Sequence, residues 1–199
     1  MGVPGRLAGL VMAAVLLARP AGAAEKQLRA FFGATLGGDT TFVDLEKAVG
    51  KPHIVVGLNA VVLGDVLGVE VDLGRSPGFF QSGREHLVLR SHVTTLTGNI
   101  VLSLPRRLTE YTLRPYFVAG GGVLRARLDD YFGVLKVTDV KAVTDIGGGV
   151  TGFVTNAVGL CWDVRYFGTI MRRAEDRGIA FGAEHLSFWR ASMALAIRF

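Results

Sequence analysis

Cysteine is almost missing from this 199-residue sequence: Cys161 is the only one. No disulfide can therefore form within the chain, and its stability has to come from packing and backbone pairing. Long apolar stretches are also lacking. Half of the residues are apolar, yet beyond residue 23 no uninterrupted run approaches the ~20 residues of a membrane helix. No group of His, Cys and carboxylate residues has metal-ligand spacing, and nothing in the sequence calls for a metal or a cofactor. Charge of one sign is not concentrated either. The 22 Lys and Arg against 17 Asp and Glu are scattered and leave no basic footprint of the kind nucleic acid requires.

What is present begins with a leader. Met1 to Arg6 carries one positive charge, Leu7 to Leu17 is apolar, and Arg19-Pro20 precedes the small-residue site Ala21-Gly22-Ala23. This order of basic, apolar and small segments is that of a secretory signal peptide, and an apolar core of roughly 11 residues is too short to span a bilayer as a helix. Cleavage is expected after Ala23 or Ala24, so residues 1–23 read as a signal peptide and 24–199 as one domain. No cysteine lies beside that site, so nothing suggests a lipid-anchored mature N-terminus. The 27 glycines exceed the usual share of about 7%; glycine suits long helices poorly but is tolerated where strands bend tightly.

From residue 28 onward, large apolar residues alternate with small or polar ones, the period of a strand with two different faces. Eight such segments are expected, at about 28–36, 53–63, 66–74, 92–104, 113–127, 142–154, 157–167 and 187–199. In the last, Trp189, Ala191, Met193, Leu195, Ile197 and Phe199 oppose Arg190, Ser192, Ala194, Ala196 and Arg198. Val158, Leu160, Trp162, Val164 and Tyr166 likewise oppose Gly159, Cys161, Asp163 and Arg165, and Leu67, Val69, Val71 and Leu73 oppose Gly68, Glu70 and Asp72. A soluble lipocalin-like barrel would turn the apolar faces inward; a membrane barrel turns them toward lipid.

The connections favour the membrane reading. Those expected at 37–52, 75–91, 128–141 and 168–186 are long, and Gly64-Asp65, Pro105 to Thr112 and Thr155-Asn156 are shorter. With an even strand count and both termini on the periplasmic side, the long set lies outside the cell and the short set inside. The polar stretches Gln81 to His86 and Arg172 to Arg177 then read as solvated surface that could meet an extracellular ligand. The fold expected is an all-β, eight-stranded antiparallel up-and-down transmembrane barrel, with outer-membrane lipid as its surroundings.

Several residues bear on chemistry. Gly147-Gly148-Gly149-Val150-Thr151-Gly152 has dinucleotide-binding spacing, but that motif works only where a strand leads into a helix, and another alternating segment follows here. Glycines 147–149 and 120–122 fit close curvature on consecutive strands instead. By alternation the inward faces carry Glu70, Asp72, Asp163, Arg165, Arg190 and Arg198, with Arg125, Arg127 and Asp145 assigned there too. An eight-stranded barrel is just wide enough for side chains to fill it, so these charges are expected to pair as an internal plug, since an unpaired buried charge is costly. Tyr116, Trp162, Tyr166, Phe167, Phe188, Trp189 and Phe199 fit interfacial aromatic girdles. His185 and Ser187 share a strand face beside Glu184, a superficial likeness to lipid-deacylating barrels, but Glu184 points the other way and the rest of such a motif is missing.

Together these segments resemble the outer-membrane β-barrel domain proteins of the porin-like OmpA/OmpX type. The resemblance runs through Val69 to Gly74 with Ser76-Pro77-Gly78-Phe79-Phe80, Thr94 to Asn99, Arg114-Pro115-Tyr116 leading to Gly120-Gly121-Gly122, Asp163 to Phe167, and the ending Phe188-Trp189-Arg190 to Arg198-Phe199. It implies that Phe199 is the terminal aromatic read by the barrel assembly machinery as a partner. Members of the family include structural, adhesive and pore-forming proteins, so the fold leaves function open. The expectation is a non-enzymatic structural or surface-interaction protein, with a narrow diffusion pore and a lipid-modifying hydrolase as alternatives.

Overall fold

The computed structural model describes residues 24–40, 52–79, 88–105, 108–109, 113–130, 136–170 and 186–199. The expected leader, residues 1–23, lies outside them. Eight strands follow one another: β1 Glu25–Thr40, β2 His53–Leu63, β3 Leu67–Pro77, β4 Val88–Ser103, β5 Leu113–Asp130, β6 Lys136–Phe153, β7 Val158–Thr169 and β8 Leu186–Arg198. Each pairs antiparallel with the next, and β1 returns to β8, from Gln27 opposite Arg198 to Thr40 opposite Leu186. The sheet is therefore a closed barrel with no open edge, the one β arrangement that satisfies its backbone groups without water. This is the antiparallel barrel that the alternation predicts.

The strands reach further than the apolar alternation does. Residues 37–40, 75–77, 88–91, 128–130 and 136–141, assigned to connections by pattern alone, all belong to strands. The difference matters most between β5 and β6, whose ladder continues to Asp129 opposite Lys136. The connection there is only residues 131–135, shorter than the 104–112 segment at the other end, so the expected sorting into long and short connections fails at this hairpin. Backbone pairing needs no apolar side chain, and a ladder can rise beyond the apolar part of its wall with polar residues on both faces.

Local chemistry sets the turns at the opposite end. Thr155 Oγ1 accepts hydrogen bonds from the backbone N–H groups of Ala157 and Val158 at 3.2 and 2.9 Å, a side chain standing in for a turn acceptor. Arg114 ties two turns together, donating through Nε to the Leu104 carbonyl and through Nη2 to the Gly64 carbonyl, both at 3.0 Å.

The two sides of the wall are inverted relative to a water-soluble barrel. Phe32, Leu58, Val69, Ile100, Phe117, Ile146, Val164, Met193 and Leu195 are exposed on the outside, Ile100 to 57%. Inside lie Gln27, Arg29, Asn59, Glu70, Asp72, Asn99, Asp145, Asp163, Arg165 and Arg190, all buried. No helix among the described residues is long and apolar enough to cross a membrane; the apolar belt belongs to the strands.

Inward glycines let this small bore hold long side chains. A Cβ added at Gly147 would run into the Val164 carbonyl and the stem of Arg165, and one at Gly149 would meet the Trp162 carbonyl and the Tyr116 hydroxyl. The formal G-x-G-x-x-G lies wholly on β6, paired with β5 and β7, where no helix terminus is available for a phosphate.

The inversion is testable on the outer face. Ile100→Arg should lower unfolding free energy in lipid vesicles by about 2–4 kcal/mol, the cost of a basic side chain near the bilayer midplane, read from urea titration of the folded fraction on gels. An unchanged midpoint would remove the outer belt from lipid.

Candidate functional site

The centre of the bore is built from side chains of every strand. Arg165 on β7 reaches Glu70 on β3 with both terminal nitrogens, Nη1 to Oε1 and Nη2 to Oε2, the second at 3.1 Å. In a ring of eight, β3 and β7 lie on opposite sides, so this pair bridges the bore. The same guanidinium holds Asp163 through Nη2 at 2.7 Å and Nε at 3.1 Å, with Asp72 and Asp145 at 3.7 and 3.8 Å.

A second bidentate pair runs from Arg190 on β8 to Asp72 on β3, at 2.9 and 2.7 Å. The Arg190 guanidinium also lies over the rings of Phe31 and Phe167, with its carbon 4.5 and 4.9 Å from their centroids, an attraction that strengthens without water. Arg29 on β1 lies 5.0 Å over the ring of Tyr116 on β5 and 3.9 Å from Glu70, and its Nε donates to Gln27 at 2.9 Å. Amides join the carboxylates: Asn99 on β4 donates to both Glu70 and Asp145 on β6 at 3.0 Å, and Asn59 on β2 donates to Glu70 at 3.4 Å. Tyr116 donates its hydroxyl proton to Asp163 at 3.2 Å and lies 3.0 Å from Cys161 Sγ. Ser192 donates to Asp163 at 2.7 Å.

The interior is layered. Toward the end where β1–β2, β3–β4, β5–β6 and β7–β8 are joined, an apolar cluster of Phe79, Val93, Leu124, Ala126, Val143, Phe167, Leu186 and Phe188 covers the charges. Phe188 stacks on Phe167 at 5.1 Å and meets Phe79 edge-on at 5.2 Å. At the opposite mouth, Glu25, Arg114, Phe153 and Arg198 line a recess of about 620 Å³. Arg198 is there rather than in the central network, 3.4 Å from Glu25 and with its guanidinium over Phe153.

Glu70, Asp72, Asp145, Asp163, Arg165 and Arg190 thus meet in one buried network. Arg125 and Arg127 do not join it. They share the outward face of β5 with Val123, while Leu124 and Ala126 point into the apolar cluster. The alternation runs unbroken through glycines 120–122, so the inward assignment of the arginines and the outward one of Tyr116 are the same inversion of the strand; the bore at the height of Leu124 and Ala126 is apolar, and the arginines belong outside. Tyr116 corrects in the other direction: it is a buried interior residue, not a girdle aromatic, because β5 places it on the face of Arg114 and Val118. Phe167 and Phe188 are also internal, two residues from inward Arg165 and Arg190 respectively.

Tyr166 and Trp189 lie on the outer wall with ring centroids 5.2 Å apart. Trp162 is outward as well but sits along β7 between Val150 and Met193. Phe199 is exposed after β8, its N–H donating to the Lys26 carbonyl at 3.1 Å. Arg29, Gln27, Asn59 and Arg114 are interior residues that the charged inward set leaves out; Arg29 and Gln27 alternate with outward Leu28 and Ala30, a signal present in the sequence, and Asn99 lies inward on the polar face of β4 with Thr95, Thr97 and Ser103. His185 and Glu184 lie outside the described residues.

A closed antiparallel barrel, apolar without and charge-paired within, has the architecture of a small membrane-spanning barrel. Comparison with known folds gives the same class, that of the eight-stranded outer-membrane barrels. Neisserial surface protein A aligns at 15% identity over 88% of this chain and 97% of its own, with a TM-score of 0.63. OprG from Pseudomonas aeruginosa aligns at 12% identity over 89% and 96%, with a TM-score of 0.57. Ail, the attachment invasion locus protein of Yersinia pestis, solved with the heparin analogue sucrose octasulfate, aligns at 14% identity over 87% and 98%, with a TM-score of 0.51. No protein-family model and no curated protein matches the sequence.

Removing one member of the central pair should expose the cost of its burial. Arg165→Met leaves Glu70 and Asp163 without their shared cation and should destabilise the barrel by about 3–5 kcal/mol. Adding Glu70→Gln should cost less than the sum of the two single changes, because the residues act on one interaction. Equilibrium urea unfolding of the four proteins in vesicles measures both.

Proposed function

We propose that this chain is an exported outer-membrane protein with a closed bore, acting without catalysis as a structural or surface-interaction protein through the segments that join its strands at the Phe79–Phe188 end. The observation that carries this is the Arg165–Glu70 bridge between opposite strands, packed with Arg190–Asp72 beneath an apolar lid. Such a core rigidifies a wall and leaves the connecting segments as the variable, solvent-facing part. Residues 41–51, 80–87 and 171–185, which include the polar stretches from Gln81 and Arg172, lie outside the described residues. Similarity of fold to Ail, a protein whose solved complex contains a sulfated saccharide analogue, supports an extracellular-ligand role. Exposure of Phe199 at the end of β8 supports its use by the barrel assembly machinery, and the apolar wall supports outer-membrane lipid as its surroundings.

Two measurements bear on this reading. Outer-membrane fractions should contain a species that migrates faster unheated than heated, and deletion of Phe199 should reduce it. In planar bilayers the purified barrel should show no steady single-channel conductance; a steady conductance abolished by bulkier residues at Gly147 would replace this reading with a narrow diffusion pore.

A further inference from the structure

One part of the outer wall departs from the apolar pattern. Toward the Phe79–Phe188 end, Arg75 on β3 stands opposite Thr94 on β4, which stands opposite Arg125 on β5. In the next outward row, Pro77 stands opposite His92, and His92 opposite Arg127. Arg75 and Arg125 are separated by one intervening strand, so their backbones are about 10 Å apart at the usual strand spacing. The positions directly flanking Arg75 and Arg125 on this face, Val56, Leu73, Thr94, Val123 and Val140, carry no carboxylate; the first acidic residue of the same parity on β5 is Asp129, two positions beyond Arg127. Arg125 Nε is covered by protein yet has no hydrogen-bond partner within it.

Cations gathered on one face of adjacent strands repel one another, and an anion between them removes that cost through charge-assisted hydrogen bonds. What lies further along the same faces decides the kind of anion. Beyond Arg75 come Leu73 and exposed Val69, and beyond Arg125 come exposed Val123 and Phe117. An occupant matching both parts has an anionic head at the level of the arginines and hydrocarbon running along the belt. We propose that the outer face of β3–β5 is a binding site for a phosphorylated membrane lipid, with Arg75 and Arg125 holding its phosphate groups and Arg127 and His92 flanking them. This rests on the membrane reading above and adds to it a lipid class and a position.

The test uses the full barrel in zwitterionic phosphatidylcholine nanodiscs doped with a bis-phosphorylated lipid A, with native mass spectrometry reading the lipids retained on release. Wild type should retain lipid A over phosphatidylcholine, and Arg75→Gln/Arg125→Gln should lose that preference by roughly tenfold or more, as expected when charge-assisted hydrogen bonds are removed. Arg75→Lys/Arg125→Lys should retain part of it, and millimolar inorganic phosphate should not displace the lipid. Arg75→Gln alone, at an exposed position, should weaken retention without affecting folding. Equal retention by wild type and the Gln variants overturns the proposal, as does displacement by inorganic phosphate, which would make the patch a soluble-anion site. Heat-modifiable migration is checked in every sample: a wild type lacking it refutes the membrane reading itself, whereas a heat-modifiable wild type without lipid preference refutes only this site.

Discussion

The guanidinium of Arg165 is wholly buried in the middle of the bore, and the rest of the interior is arranged around the need to neutralise it. Removing a cation from water costs several kcal/mol even after relaxation. Glu70 and Asp163 offset that cost directly, and the remaining donors and acceptors orient the carboxylates: Asn59 and Asn99 on Glu70, Tyr116 and Ser192 on Asp163. Each belongs to a different strand, so satisfying one charge aligns much of the barrel. The inward glycines follow from the same requirement, since Gly147 and Gly149 leave the volume that Arg165 and Tyr116 fill.

The outer wall answers to a different constraint. Closure of β1 on β8 removes the edges that a sheet in hydrocarbon could not satisfy, and once closed the barrel has one face for apolar residues and one for polar ones. A water-soluble barrel would bury the apolar set. Here the interior has taken the charges, and the exposed belt of Val69, Ile100, Val164 and Leu195 matches a solvent that prefers hydrocarbon. The two faces depend on each other: paired charge fills the middle of the bore together with buried apolar side chains such as Phe31, Val61 and Val118, and the apolar residues of opposite parity form the outer belt.

Much of this is legible in the alternation. The eight strands, their antiparallel succession and the inward positions of Glu70, Asp72, Asp163, Arg165 and Arg190 follow from period two, because a strand that places Val164 outward must place Arg165 inward. On β5 the whole strand is turned over: with Tyr116 assigned outward, the odd-numbered positions, Arg125 and Arg127 among them, are assigned inward, whereas the buried set is Arg114, Tyr116, Val118, Leu124 and Ala126. Tyr116, Phe167 and Phe188 look like girdle residues by type, yet their parity with Arg114, Arg165 and Arg190 places them inside. The strand ends extend further than the pattern because hydrogen bonding between backbones continues where hydrophobicity no longer alternates.

The sequence by itself determined the architecture and the two chemical faces, since both are local consequences of a two-residue period carried by each strand separately. Which charges meet was decided only by the tertiary structure. Arg165 and Glu70 are 95 positions apart in the chain, and their pairing depends on closure and on the stagger between strands, which set what lies across the bore. The same is true of the two ends: the apolar layer over the charges and the basic patch on the outside of β3–β5 exist because neighbouring strands are held at fixed offsets, a relation that no single strand encodes.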